Sequence, residues 1–197
     1  MHRIYGAIIE IVAASVFLIP ILGLYGKYIV RNTRRILAYI ALGFYFVAVL
    51  SLVGFPNVIA INIDFTINII PFIDMAADFV NACLNALLFV PLGVFLPLLW
   101  DKYRDIKSTM LVALYITVLI ELSQLFTFRT TDVNDIITNI LGTLLGYFIA
   151  KRITKDFARC VNSNKKYQEL YVICVIVILV TFFLQPFVSS LLWEMIL

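Results

Sequence analysis

Six long apolar runs, separated by charged stretches, limit what this chain can fold into. Each holds roughly 18 to 23 residues, close to the ~20 that an α-helix needs to cross a hydrocarbon core at about 1.5 Å rise per residue. They fall at about 5–26, 36–54, 78–100, 109–127, 133–150 and 169–190. With 63% hydrophobic residues, only 14% charged ones and a mean hydropathy of +1.03, a soluble domain is excluded. The predicted fold is therefore all-α, a polytopic transmembrane bundle of about six spans forming a single membrane domain over residues 1–197. Almost nothing is left for a soluble domain, so any site is built within or against the membrane. No linker, low-complexity tract or internal repeat is evident. The first run is too long, and the basic segment before it too thin, for a signal peptide, so it reads as a retained helix. The alternative is a helix lying in the interface.

Orientation follows from the basic residues, because cytoplasmic loops carry an excess of Lys and Arg. Loop 27–35 holds Lys27, Arg31, Arg34 and Arg35. Loop 101–108 holds Lys102, Arg104 and Lys107. Loop 151–168 holds Lys151, Arg152, Lys155, Arg159, Lys165 and Lys166. Only Arg3 and Arg129 lie elsewhere. These three loops are predicted to be cytoplasmic, with both termini outside. Tyr25, Tyr28, Tyr39, Trp100, Tyr103, Tyr147, Tyr167 and Tyr171 sit at the same ends and read as headgroup-level anchors. The net charge of +3 thus reflects membrane topology, and no nucleic-acid partner is needed to explain it.

Some chemistries are excluded at once. Cys83, Cys160 and Cys174 form no CxxC or Cys/His spacing, so neither a disulfide framework nor a zinc site is expected. The one histidine, His2, stands at the chain start, which removes Ser-His-Asp and Cys-His nucleophile systems. No cofactor is implied, and no metal site is assigned.

Polar residues inside apolar spans are costly unless paired or hydrated, and here they fall in stripes. Asp78, Asn81 and Asn85 recur at helical spacing on the third span, Glu121 and Gln124 on the fourth, and Asp132, Asp135 and Asn139 on the fifth. Gly142 and Gly146 continue the last stripe. The charge-based topology, which made no use of these residues, brings all three stripes to the outer leaflet. Glu121, Asn85 and Asn139 then lie roughly 6 to 11 Å deep. Glu10 joins them if the first span starts outside. Arg129, in the loop between spans four and five, is the natural counter-ion of Glu121, Asp132 and Asp135, and its fork suits a carboxylate or a phosphate.

The loop before the third span alternates Ile59, Ile61, Ile63, Phe65, Ile67 and Ile69 with smaller or polar residues. This period of two predicts a short extended extracellular segment or hairpin. With Asp74, it is placed to cover the polar site.

The runs Asn85-Ala86-Leu87-Leu88-Phe89-Val90-Pro91-Leu92-Gly93, Glu121-Leu122-Ser123-Gln124 and Arg129-Thr130-Thr131-Asp132-Val133-Asn134-Asp135-Ile136-Ile137-Thr138-Asn139-Ile140-Leu141-Gly142 resemble the VanZ-like membrane proteins, as does Asn68-Ile69-Ile70-Pro71-Phe72. The resemblance covers about residues 35–150, with motif order and spacing kept, and leaves 169–190 as an additional C-terminal transmembrane helix. It implies a bacterial cell membrane location and low-level resistance to the lipoglycopeptide teicoplanin. It implies no settled mechanism, and it assigns no role to Glu10 or to the last span.

Plainer readings stand beside these. Gly142 and Gly146 suit close helix packing. Pro91 and Gly93 suit a kink or a close neighbour. Asn81 suits interhelical hydrogen bonding, and Asp132 and Asp135 suit capping of the fifth helix. Glu121 suits a structural salt bridge with Arg129. The functional reading makes Asn81, Asn85, Glu121, Gln124, Arg129, Asp132, Asp135 and Asn139 a ligand site. It suits a membrane-lipid neighbour or partner with a greasy tail and a polar head, namely an amphiphilic glycopeptide or a lipid-linked cell-wall precursor. An enzyme acting on such a head group, with Glu121 or Asp135 as base and Arg129 stabilising negative charge, is the alternative. A hard-cation site is a variant of both. A lipid transporter is a further alternative, set back by the one-sided placement of the polar residues.

Overall fold

The computed structural model describes residues 2–59, 61, 67–68, 70, 79–127, 131–161 and 168–196; of residues 2–4, 67, 154–161 and 196 it describes the backbone alone. Its helices are α1 (His2–Tyr25), α2 (Thr33–Val53), α3 (Phe79–Leu99), α4 (Ile106–Gln124), α5 (Val133–Val161), α6 (Gln168–Leu179) and α7 (Gln185–Ile196). A π-helical turn, Val180–Leu184, joins α6 and α7 into one run, and another, Gly26–Val30, extends α1. Among the described residues six segments are long and apolar enough to cross a membrane: Tyr5–Val30, Thr33–Val53, Phe79–Leu99, Ile106–Gln124, Val133–Ile153 and Gln168–Met195. The protein is an all-α, multi-pass membrane protein, and the six spans lie within a few residues of their predicted positions.

The chain forms two compact units, Met1–Asn62 with Gln168–Leu197, and Ile63–Tyr167. In the first, α1 packs on α2 and α7, and α2 on α6. Leu18 and Leu22 of α1 fill the space that Gly43 leaves on α2. The tight turn between α1 and α2 is closed by Arg31, a non-glycine residue at φ 54° whose N–H donates to Gly26 O at 2.8 Å. Asn32 then caps α2, its Oδ1 accepting from the N–H groups of Arg34 and Arg35 at 3.1 and 3.3 Å. Gly54, at φ 70°, ends α2 in the left-handed conformation that glycine adopts without steric cost.

In the second unit, α3 and α5 pack closest, with α4 against α5. Glycine makes this possible. A Cβ at Gly142 would run into the Ala86 carbonyl, one at Gly146 into the Val90 carbonyl, and one at Gly93 into the Thr143 carbonyl. The two helices therefore meet backbone to backbone, as small-residue stripes allow in a membrane. Leu84 and Leu87 of α3, Leu119 and Leu122 of α4, and Leu141 and Leu145 of α5 stay exposed and form the apolar flanks. Asp105 caps α4, its Oδ2 accepting from the Ser108 N–H and hydroxyl, each at 3.0 Å. These bonds hold its carboxyl below the usual carboxylate range. The cap therefore stabilises the helix above that range and is lost as pH falls through the lowered value.

The folded chain adds contacts that local sequence patterns do not show. Tyr39, Trp100, Tyr103 and Tyr147 are buried against protein. Tyr39 donates to the Glu169 carboxylate, and Tyr147 donates to Arg104 O at 2.6 Å. The hydroxyls of Tyr39 and Tyr147 thus find partners inside their own units, as buried tyrosines usually do. Tyr28 and Tyr171 do stay exposed; Tyr167 lies outside the described residues. Of the alternating loop, Ile67–Asn68 (β1) are extended and pair in parallel with Thr131–Asp132 (β2). Residues 60, 62–66 and 69, and Asp74, lie outside the described residues.

Gly142→Ala and Gly146→Ala should each destabilise the purified protein by about 1–3 kcal/mol, because the neighbouring atoms are backbone and cannot yield. Gly23→Ala, with open space around its Cβ, should be neutral or stabilising by up to about 1 kcal/mol. Thermal unfolding in detergent reads both effects, and equal melting temperatures for all three variants would refute the close α3–α5 contact.

Candidate functional site

Each polar stripe reaches the same end of the second unit because of where its helix starts or stops. Asn85 comes six residues after the start of α3, Asn139 six after the start of α5, and Glu121 three before the end of α4. At about 1.5 Å per residue the two asparagines lie ~9 Å along their helices. As alternate spans, α3 and α5 run in the same direction and α4 against them, so the two asparagines and the end of α4 lie at the same side.

The contacts among them are specific. Asn85 Nδ2 donates to Asp135 Oδ1 at 2.7 Å and ties α3 to α5. Glu121 Oε2 accepts the Asp132 backbone N–H at 3.0 Å, while Thr131 Oγ1 donates to the Glu121 carbonyl at 3.0 Å. Two bonds thus clamp the end of α4 to the β2 segment that leads into α5. Asp132 Oδ1 accepts the Asn134 N–H at 2.8 Å, which caps the first turn of α5. Its Oδ2 accepts from Asn68 Nδ2 at 3.2 Å, which fastens β1 beside it. The capping reading of Asp132 is therefore right as far as it goes, and the same carboxylate also holds a second segment. Asp135, by contrast, reaches across to another helix.

Deeper in the unit, Asn139 Nδ2 donates to Thr117 Oγ1 at 2.8 Å, linking α5 to α4. Thr143 Oγ1 donates back to the Asn139 carbonyl at 3.0 Å. Two acceptors remain. Gln124 Oε1 and Asn139 Oδ1 are buried with no hydrogen-bond partner among the described residues, on side chains only 2% and 3% exposed. A buried polar atom without a partner costs about 1–3 kcal/mol. The site is thus dominated by oxygen acceptors: three carboxylates and two open amide oxygens. No group of three His, Cys, Asp or Glu side chains among the described residues is placed to share a metal ion.

The predicted residues do not all meet here. Asn81 is exposed on α3, one turn before Asn85. Arg129 and Asp78 lie outside the described residues. Glu10 belongs to the other unit. Sequence reasoning missed Thr117, Asn68 and Thr131. Thr117 carried a readable signal, since it stands four residues before Glu121 and extends the α4 stripe by one turn. Asn68 and Thr131 stand in the family-like runs, but nothing there marks their contacts, which come from a two-residue parallel pairing between distant segments.

A coupling test follows from the Asn85–Asp135 bond. Asn85→Ala, Asp135→Asn and the double variant should show a coupling energy of about 1–3 kcal/mol in a double-mutant cycle read by unfolding in detergent. Strict additivity would mean that this bond does not join the helices.

A protein-family model described as VanZ/LLP1 matches residues 38–155. That match contains every buried residue of the cluster and ends before α6. No curated protein and no solved structure matches the chain.

Proposed function

This chain belongs to the VanZ/LLP1 family, and on that premise we propose that its second unit binds the head group of a lipid-tailed molecule, with teicoplanin resistance as the outcome. The carrying observation is the pair of buried oxygens, Gln124 Oε1 and Asn139 Oδ1, that have no hydrogen-bond partner among the described residues. Together with the Glu121, Asp132 and Asp135 carboxylates they call for a ligand that donates hydrogen bonds. Sugar hydroxyls and peptide N–H groups are such donors, and both an acylated glycopeptide and a lipid-linked cell-wall precursor carry them on an apolar tail. Exposed Leu84, Leu87, Leu119, Leu122, Leu141 and Leu145 give that tail an apolar surface beside the polar head.

Orientation supports the same reading. Basic residues concentrate in loops 27–35, 101–108 and 151–168, and this bias favours a cytoplasmic side for those loops and the outer leaflet for the cluster. A wall precursor awaiting polymerisation and an arriving glycopeptide both sit in that leaflet. Arg129, three residues before Asp132, suits a precursor's phosphate or a glycopeptide's carboxylate.

The test compares wild type, Glu121→Gln, Asn139→Leu and Arg129→Ala for growth in teicoplanin at matched membrane expression. Loss of one charge-assisted or buried hydrogen bond weakens binding by about 10- to 100-fold. Each variant should therefore return cells to the sensitivity of the empty vector. Undiminished resistance in all three well-expressed variants would refute the proposal.

A further inference from the structure

A small polar cavity lies in the first unit, whose α1, α6 and α7 fall outside the family match. It is lined by Glu10 of α1, Ser51 near the end of α2, Asn57 beyond it, and Thr181 and Gln185 of the last span. Its free space is about that of one water molecule or ion. Glu10 stands five residues inside the span Tyr5–Val30, and among the described residues no basic side chain lines the cavity. The Ser51 hydroxyl and the Gln185 side chain lie against its carboxylate. Ser51 Oγ is nevertheless buried with no hydrogen-bond partner among the described residues.

The backbone supplies a further oxygen here. In the π-helical turn the Gln185 N–H donates to Val180 O, five residues back, and so leaves the Thr181 carbonyl that an α-helix would give it. The next residue, Pro186, has no N–H to offer. Neither the i+4 nor the i+5 peptide can therefore close on Thr181 O. The same proline frees Phe182 O, which instead accepts the Val58 N–H at 3.1 Å. The Thr181 hydroxyl is committed to Val177 O at 2.8 Å. Meanwhile α2 ends beside the cavity at Val53, and the carbonyl end of a helix carries partial negative charge.

From this convergence we infer that the first unit holds a binding site for a single small monovalent cation of sodium size. Its ligands are the Glu10 carboxylate, Ser51 Oγ and the Thr181 carbonyl, with the amide oxygen of Gln185 beside them. Oxygen ligands of this kind suit hard cations, and half-broken membrane helices with freed carbonyls recur at sodium sites. One carboxylate balances one positive charge, so a monovalent ion leaves the site neutral in an apolar setting. A divalent ion would leave an uncompensated charge there, at high cost.

The test uses the full chain in lipid nanodiscs, with sodium itself as the probe and choline as the inert cation at equal ionic strength. Sodium at tenfold excess over its dissociation constant should raise the melting temperature by about 3 °C or more, saturably. Glu10→Gln should abolish that shift. Pro186→Ala, which supplies the missing N–H, should raise the sodium concentration at half-effect about tenfold while leaving Glu10 in place. Ser51→Ala should act in the same direction. Glu121→Gln should keep the full response, which separates this site from the one proposed in the second unit. No difference between sodium and choline, a stability that follows pH but no cation, or a sodium shift that survives Glu10→Gln would each overturn the inference. Should Glu10→Gln fail to fold, an unchanged sodium response in both Pro186→Ala and Ser51→Ala would overturn it equally.

Discussion

The bond from the Asp132 N–H to the Glu121 carboxylate is the one on which the family unit depends. In a bilayer no solvent stands ready to satisfy a carboxylate, so the fold must bring a donor to it or leave a large penalty. Here the donor is backbone, delivered by the segment that turns α4 into α5. Once that turn is fixed, Asp132 can cap α5 and receive Asn68, and Asp135 is set on the face where Asn85 reaches it. The glycine contact between α3 and α5 then allows the two helices to approach closely enough for these short side chains to meet.

That arrangement leaves a surplus of acceptors. Its donors are mostly spent within the unit, on Asp135, Asp132 and Thr117, whereas two amide oxygens deep in the cluster have no partner among the described residues. A purely structural network would be expected to close itself, because each open acceptor lowers stability by about 1–3 kcal/mol. The same logic gives the first unit its character. There the π-helical turn and Pro186 keep a carbonyl from its helical partner, next to a carboxylate with no basic neighbour among the lining residues.

Much of this is legible in the amino-acid order alone. The lengths of the apolar runs dictate six spans, and helical spacing sets Asn85, Glu121, Asp135 and Asn139 on inward faces, since the period of an α-helix fixes which residues share a side. Gly142 and Gly146 announce close packing for the same reason. What stays hidden is of two kinds. Local patterns do not reveal pairings across distant segments, so the bonds of Asn68 and Thr131 are invisible in them. Nor does residue type tell an exposed tyrosine from a buried one, and Tyr39 is buried where Glu169, far along the chain, meets its hydroxyl. The π-register at Val180–Leu184 likewise has no period of its own to read; only Pro186 hints at it.

The central claim, that the open acceptors of the second unit receive a donor-rich head group, is tested most directly by equilibrium binding to the purified chain in nanodiscs. Teicoplanin and a lipid-linked wall precursor serve as separate ligands, each against wild type and Asn139→Leu. The account predicts saturable binding of at least one ligand, weakened about tenfold or more by the substitution. Equal affinity in both proteins, or no binding of either ligand to wild type, would contradict it.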